Sequence, residues 1–485
     1  MGRPKKKPAP ISVGQSKNGM IRSSYDTSKT TVNDMNHWKN ADGLSAVQST
    51  NKQVRHTLVN RARYEVENSC YAKGLVNSIS EAIVGSGVRL HVISGNEKLD
   101  ATLSKNFAKD CKKIKLPEKM RVAINGEITD GEAFPLFFFN PKLKGDSQLD
   151  VRIIETERVS SLSDTNKRFI DNSPNYVDGI KYDDYGNIEY FNVLKGHPSE
   201  FSSMGEVGSE RIMPEQMKQM FRQDRIGQRR GVPQITQALP LLAQLRRYTL
   251  AVLDTAETAS NFAGVIKTDA PADGEAVAVT PMETVEVQKR MLLTLPEGWD
   301  ISQLKAEQPT STYGDFKKEI LDEACRCILV PSNVMRGDSS NYNYASGRLD
   351  GQWFVRAIEI RRETIEQCWL NDFVELWLDE QEITTPNLRR LRKEMDIELY
   401  WDGEFHVDPT KEAQAQAQRL LNKTTTLKIE CAKEGLDYRA IIKQAGIEKK
   451  LLESVGLVIG EVPPPVAENK DKPQPKGAKN ANTKK

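Results

Sequence analysis

Apolar residues recur at spacings of mostly three, four or seven between about residues 349 and 378: Phe354, Ile358, Ile365, Trp369, Phe373, Leu376 and Trp377. That periodicity predicts one face of a long helix. About 30 residues of helix span roughly 45 Å. Arg362 and Glu366 lie four apart on another side and can pair. The segment before it, 331–346, has no such pattern. It reads Pro-Ser-Asn-Val-Met-Arg-Gly-Asp-Ser-Ser-Asn-Tyr-Asn-Tyr-Ala-Ser. Ser, Asn, Gly and Asp bond to nearby backbone or accept positive φ, so neither helix nor strand is expected there.

Upstream, Leu58, Ala62, Val66, Cys70 and Ile79 predict a helix over 53–83, stopped by Gly85-Ser86-Gly87. Those glycines do not make a phosphate loop, because no strand precedes them and no Gly-Lys-Ser/Thr follows. A β-rich block comes next. Strands are expected at 133–139, at 151–154 and in a hairpin over 180–193 that turns at Gly186-Asn187. Residues 222–233 are basic and rich in Gly and Pro, and read as a junction. A helix follows to 262, with Pro240 either kinking it or lying in its first turn. Short strands are expected at 263–266, 292–295 and 299–301, then a helix over 315–329. After residue 378, a strand over 397–401 precedes Asp408-Pro409, a helix-start signal. Helices then run to about 458.

The polar ends, with Arg3, Lys5, Lys6 and Lys7 at one and Pro, Lys and Asn at the other, read as flexible. The first residues lack the apolar stretch of a signal peptide. No apolar run approaches the length of a membrane span. At 485 residues the chain should hold several folding units. Its 38% hydrophobic content is low enough that much of the surface should be polar or shared with partners. Lys and Arg (69) nearly balance Asp and Glu (67), so a broad nucleic-acid grip through overall charge is excluded. The six cysteines are scattered without a disulfide pattern, which fits a reducing compartment. Cys325 and Cys327, two apart on a helix, point to nearly opposite sides and are not read as metal ligands. No Walker, zinc-protease or hydrolase motif is present, and the five histidines are far apart.

Four segments together carry a resemblance. They are Gly179-Ile180-Lys181-Tyr182-Asp183 through Gly186-Asn187-Ile188-Glu189-Tyr190 to His197-Pro198; Arg225-Ile226-Gly227-Gln228-Arg229-Arg230-Gly231-Val232-Pro233; Ile328-Leu329-Val330-Pro331 through Gly337-Asp338 to Asn343-Tyr344-Ala345-Ser346-Gly347-Arg348; and Val407-Asp408-Pro409-Thr410-Lys411-Glu412-Ala413 followed by Gly435-Leu436-Asp437. In that order they resemble the portal proteins of lambda-like tailed bacteriophages. Two details depart from the pattern. Ala345 stands where a serine is commoner, and Asn422-Lys423-Thr424 replaces a Gly-containing turn.

The resemblance implies an α+β portal fold with these parts: a flexible arm (1–45), an α+β wing (46–232), a stem helix (233–263), a β-rich clip (264–312), a second stem helix (313–329), a tunnel loop (330–347), a tunnel helix (348–380), a return to the wing (381–406), helical crown (407–458) and a disordered tail (459–485). It further implies a homo-oligomeric ring, usually a dodecamer, at one vertex of the virion capsid, assembled in the bacterial host cytoplasm. Double-stranded DNA would pass through its channel during packaging and ejection. The other partners implied are the terminase large subunit, the major capsid and scaffolding proteins and the head–tail adaptors, with no membrane, cofactor or metal and no enzymatic activity. The implied channel residues are Arg336, Asp338, Asn341, Tyr342, Asn343 and Tyr344 in the tunnel loop. Short polar groups suit a duplex that must move, because affinity climbs steeply with each phosphate neutralised. Two other readings stay open on the residues: another virion ring or adaptor, and a metal-dependent nuclease built on Asp183, Asp184, Glu155 or Glu157.

Overall fold

The computed structural model describes residues 41, 43–161, 175–201, 208–261, 265–268, 299–302, 313–340, 343–385, 388–403 and 409–456. The expected strand at 292–295, most of the arm and the tail lie outside them. The chain divides into two compact units, one made of residues 1–84 and 110–390, the other of 85–109 and 391–485. Helix and sheet are mixed throughout. No described helix is long and apolar enough to cross a membrane.

In the first unit, the helix expected over 53–83 is two, Lys52–Asn68 and Cys70–Val84, meeting at an extended Ser69. Asn51 caps the first by accepting from the Val54 N–H. Both pack against the helix Leu116–Asp130. Gly131, at φ 88°, ends that helix and leads directly into the strand Glu132–Phe139. This strand pairs antiparallel with Leu149–Ile154 on one side and Met220–Phe221 on the other. A second antiparallel sheet runs Tyr176–Val177, Ile180–Tyr182, Ile188–Leu194, Ser209–Ile212. Its hairpin turns where expected: Gly186, at φ 91°, donates to the Asp183 carbonyl. Phe134, Ile154, Val159, Ile180, Phe191 and Val193 join the two sheets in one apolar core, with Phe134 edge-on to Phe191 at 5.9 Å.

At the centre of this unit lies a buried ion cluster. The Glu132 carboxylate accepts from Arg55 at 2.8 Å, from Arg230 at 2.6 and 2.9 Å, from Gln219 at 2.9 Å, from the Gly231 N–H at 3.1 Å and from the Thr156 hydroxyl. Arg55 and Arg230 also pair with Asp178. Burial by itself raises the Glu132 pKa; Arg230 and Arg55 outweigh it and hold it at about 2. The segment 222–233, which the sequence presents as a basic junction, therefore places Arg230 in the interior. Arg229 instead crosses to the hairpin, lying over the Tyr182 ring at 4.3 Å and donating to the Gly186 carbonyl at 3.1 Å.

The helix expected from 233 begins at Leu239, with Pro240 in its first turn, and runs to Asn261. Residues 233–238 form turns, with the Gln234 N–H donating to the Ile128 carbonyl at 2.9 Å. This helix packs against Tyr313–Arg326, where the Tyr248 ring meets Phe316 at 5.2 Å and the Tyr313 hydroxyl donates to Thr249 at 3.1 Å. Between the two in sequence, Val265–Thr268 and Trp299–Ser302 pair antiparallel. The long apolar-faced helix is longer than expected. Its segments Tyr344–Ile365 and Asn371–Thr384 are joined through a π-helical turn, Glu366–Leu370. Its second half is core: Trp369, Phe373 and Trp377 are fully buried, and Phe137 packs on Trp369 and Phe373.

In the second unit, Arg89–Ile93 pairs antiparallel with Asp396–Tyr400, the strand expected near 397–401. The Asp402 carboxylate accepts from the Ser86 hydroxyl and from Arg89, each at 2.8 Å. Arg89 also donates to the Gly435 carbonyl at 2.6 Å. The helices Pro409–Leu421, Leu427–Lys433 and Tyr438–Ser454 follow. Arg419 ties the first two by pairing with Glu412 at 2.9 Å and Glu430 at 2.8 Å.

Candidate channel loop

The loop is built on the end of the helix Tyr313–Arg326. Leu329 takes φ 60°, a conformation that a branched side chain adopts only at a cost of roughly 1–2 kcal/mol. The chain thereby reverses, and Val330 and Met335 turn inward and are buried. Between them the structure departs from expectation: Ser332–Arg336 is a short helical turn. Pro331 occupies its N-cap position and Gly337, at φ 65°, its C-cap. Local polar composition argued against helix here. The buried Met335, packed with its turn against Tyr313–Arg326 and Cys70–Val84, overrides it.

Each candidate residue can now be placed. Arg336 lies 3.1 Å from the Asp322 carboxylate and donates to the Ser332 carbonyl at 3.3 Å. Its side chain is only 10% exposed, so it holds the turn to the preceding helix. Asp338 accepts from the Ser340 N–H at 2.9 Å, and that bond holds its carboxyl below the ordinary value. Asn333 donates to the Ser339 hydroxyl at 3.2 Å. Asn343 is the N-cap of the long helix, its side-chain oxygen accepting from the Ser346 N–H at 2.8 Å. Tyr344 begins that helix. Asn341 and Tyr342 lie outside the described residues. Arg336, Asp338 and Asn343 thus make local structural contacts, and sequence reasoning missed Asp322 as the partner that fixes Arg336. No spacing rule links the two, because they lie on different helices.

The helix leaving the loop is clamped to the first unit. Arg361 reaches Glu127 at 2.6 Å, and Arg362 donates to the carbonyls of Ala82 and Ile83 at 3.1 and 2.9 Å. Replacing Asn343 by Ala should remove the cap and cost about 1 kcal/mol, while Asp should retain it. Urea unfolding of the two variants measures the difference.

Two of the four carboxylates that could have made a metal site are engaged elsewhere. Asp183 accepts from Tyr185 and Asn187 within its own turn. Glu157 is paired with Arg63, which also holds Asp130. Among the described residues no group of three or more His, Cys, Asp or Glu is placed to hold a metal ion.

The family description "phage portal protein, lambda family" matches residues 32–362, and the chain belongs to that family. Its role is accordingly that of a portal, or head–tail connector, and the family is a structural one. No curated protein matches. Among solved structures, the chain is similar to one titled as the neck of a native GTA particle computed with C12 symmetry, at 14% identity and TM-score 0.46, over 80% of this chain and 94% of that one. Another is titled as the neck of an empty GTA particle computed with C6 symmetry, at 13% identity and TM-score 0.47, over 81% and 94%. A third comes from the virion of a native gene transfer agent particle, at 15% identity and TM-score 0.44, over 86% and 95%.

Proposed function

We propose that copies of this chain close into a ring at one capsid vertex and that double-stranded DNA passes through its centre, bordered by the loop 330–347. In this reading the ring is the docking platform for a separate terminase motor and later for head–tail adaptors, and it performs no catalysis itself. Family membership over residues 32–362 carries the reading. The loop's construction supports it: a buried turn at one end and a capped, clamped helix at the other anchor a short polar stretch. Arg336, Asp338 and Asn343 act by shaping the loop. Asn341, Tyr342 and Tyr344 are the residues we assign to the duplex, as weak contacts that any sequence can satisfy. With the nearest loop cation neutralised by Asp322, the duplex meets little that would stall it.

Deleting residues 341–344 tests the assignment. Rings should still assemble, while DNA packaged in a reaction with the cognate motor should fall at least about tenfold or leak out afterwards, a loss matching the removal of contacts worth about 1.4 kcal/mol. Packaging and retention equal to the unaltered chain would remove the loop from the channel.

A further inference from the structure

Among the described residues, a second apolar face of the long helix stays uncovered. Phe354, Ile358 and Ile365 turn toward the unit, but Leu349, Trp353, Arg356 and Ile360 are all exposed, Trp353 by 69%. Their spacing of four, three and four puts them on one stripe, roughly 16 Å long. A surface helix ordinarily carries one apolar stripe, and an exposed tryptophan flanked by aliphatics is a typical anchor of a protein interface. The same unit bears a second bare stripe on Leu239–Asn261. There Leu250 and Leu253 are more than half exposed, and the exposed Asp254 lies one turn on from Leu250. Among the described residues neither Arg356 nor Asp254 has an ion-pair partner.

We infer that these two stripes meet between neighbouring copies, Leu349, Trp353 and Ile360 of one against Leu250 and Leu253 of the next, with Arg356 opposite Asp254. The inference rests on the ring reading and names the surface that closes it. The charges choose the arrangement. Face-to-face pairing of identical stripes would set Arg356 against Arg356 or Asp254 against Asp254. Head-to-tail pairing sets opposite charges together and leaves neither stripe bare, as a heterologous closed ring requires. The Trp353 stripe begins six residues after the Asn343 cap. Contact with the neighbour therefore fixes the helix that carries each loop, and a lone copy holds its loop on a half-supported helix.

Mass photometry of the full chain across a concentration series tests the contact. Trp353→Ala, Arg356→Asp and Asp254→Arg should each raise the concentration needed for assembly by about tenfold or more. Combining Arg356→Asp with Asp254→Arg should recover most of that loss, which damage to the fold could not do. All three positions are exposed, so melting curves of the dilute chains should coincide. Single variants that assemble like the unaltered chain overturn the contact, even if they fail in packaging, since the stripe would then serve another partner. A charge-exchanged double variant as poor as the singles overturns the pairing. An unaltered chain that stays monomeric at every concentration defeats the ring reading itself.

Discussion

Gly231→Ala leaves little folded protein. A Cβ at this position would lie 2.0 Å from the Gly131 carbonyl oxygen and 2.9 Å from the Glu132 Cβ. Gly131 faces it in return: its own Cβ would lie 2.4 Å from the Val232 carbonyl carbon, on a backbone already at φ +88°. Two chain segments that cross backbone to backbone have nowhere to move, because one enters the central strand and the other carries Arg230 into the ion cluster. The cost should reach about 4 kcal/mol or more, beyond the usual roughly 1–3 kcal/mol of overpacking, because both partners are backbone. Gly227→Ala supplies the contrast. Its φ is +80° but nothing lies within 4 Å of the added atom. Only the left-handed strain of roughly 1–2 kcal/mol remains. Soluble yield and thermal melting of the two variants, four positions apart in one motif, should therefore differ sharply.

That motif shows where the sequence was legible and where it was not. The hairpin through Gly186 was readable because turn chemistry and strand alternation are local. The strand Glu132–Phe139 was readable as a short continuous apolar run, and the strand Asp396–Tyr400 and the helix Tyr313–Arg326 from local pattern. The break at Ser69 was not, because no Gly or Pro marks it and the apolar face continues across. Arg230 read only as one cation of a basic junction, and nothing within its neighbourhood marked it as buried. Its counter-charge is Glu132, 98 positions away. The partner of Arg336 was hidden for the same reason: a positive charge in a polar loop suggests a phosphate contact, and nothing nearby in sequence points to Asp322 beside it. The helical turn Ser332–Arg336 escaped because Met335 is apolar in a polar run, and its burial was visible only once its neighbours were in place. Periodicity revealed the buried face of the long helix. The bare stripe through Trp353 hid in the same pattern, since a sequence does not say which of two apolar faces finds a partner in its own chain.

Glu132→Gln tests the other half of the crossing. The substitution keeps the shape and removes the charge, so Arg55 and Arg230 remain buried with only Asp178 to answer them. Breaking a buried ionic cluster at one partner typically costs about 3–5 kcal/mol, because desolvated charge is left uncompensated. Guanidinium unfolding of the variant should show a loss of that order, and a variant as stable as the parent would mean that the cluster is relaxed by water. The same carboxylate gives the protein a pH signature. Its pKa is about 2 in the folded chain against an ordinary 4.5, so the unfolded chain binds more protons between those values. Stability from this group is complete above the ordinary value and drains away as pH falls through 4.5 toward 2. Glu132→Gln has no such proton to take up. The parent should therefore lose stability over that window more steeply than the variant, and the two curves should converge at the acid end. Parallel curves would show that the charge of Glu132 plays no part in holding the two sheets and the crossing segment together.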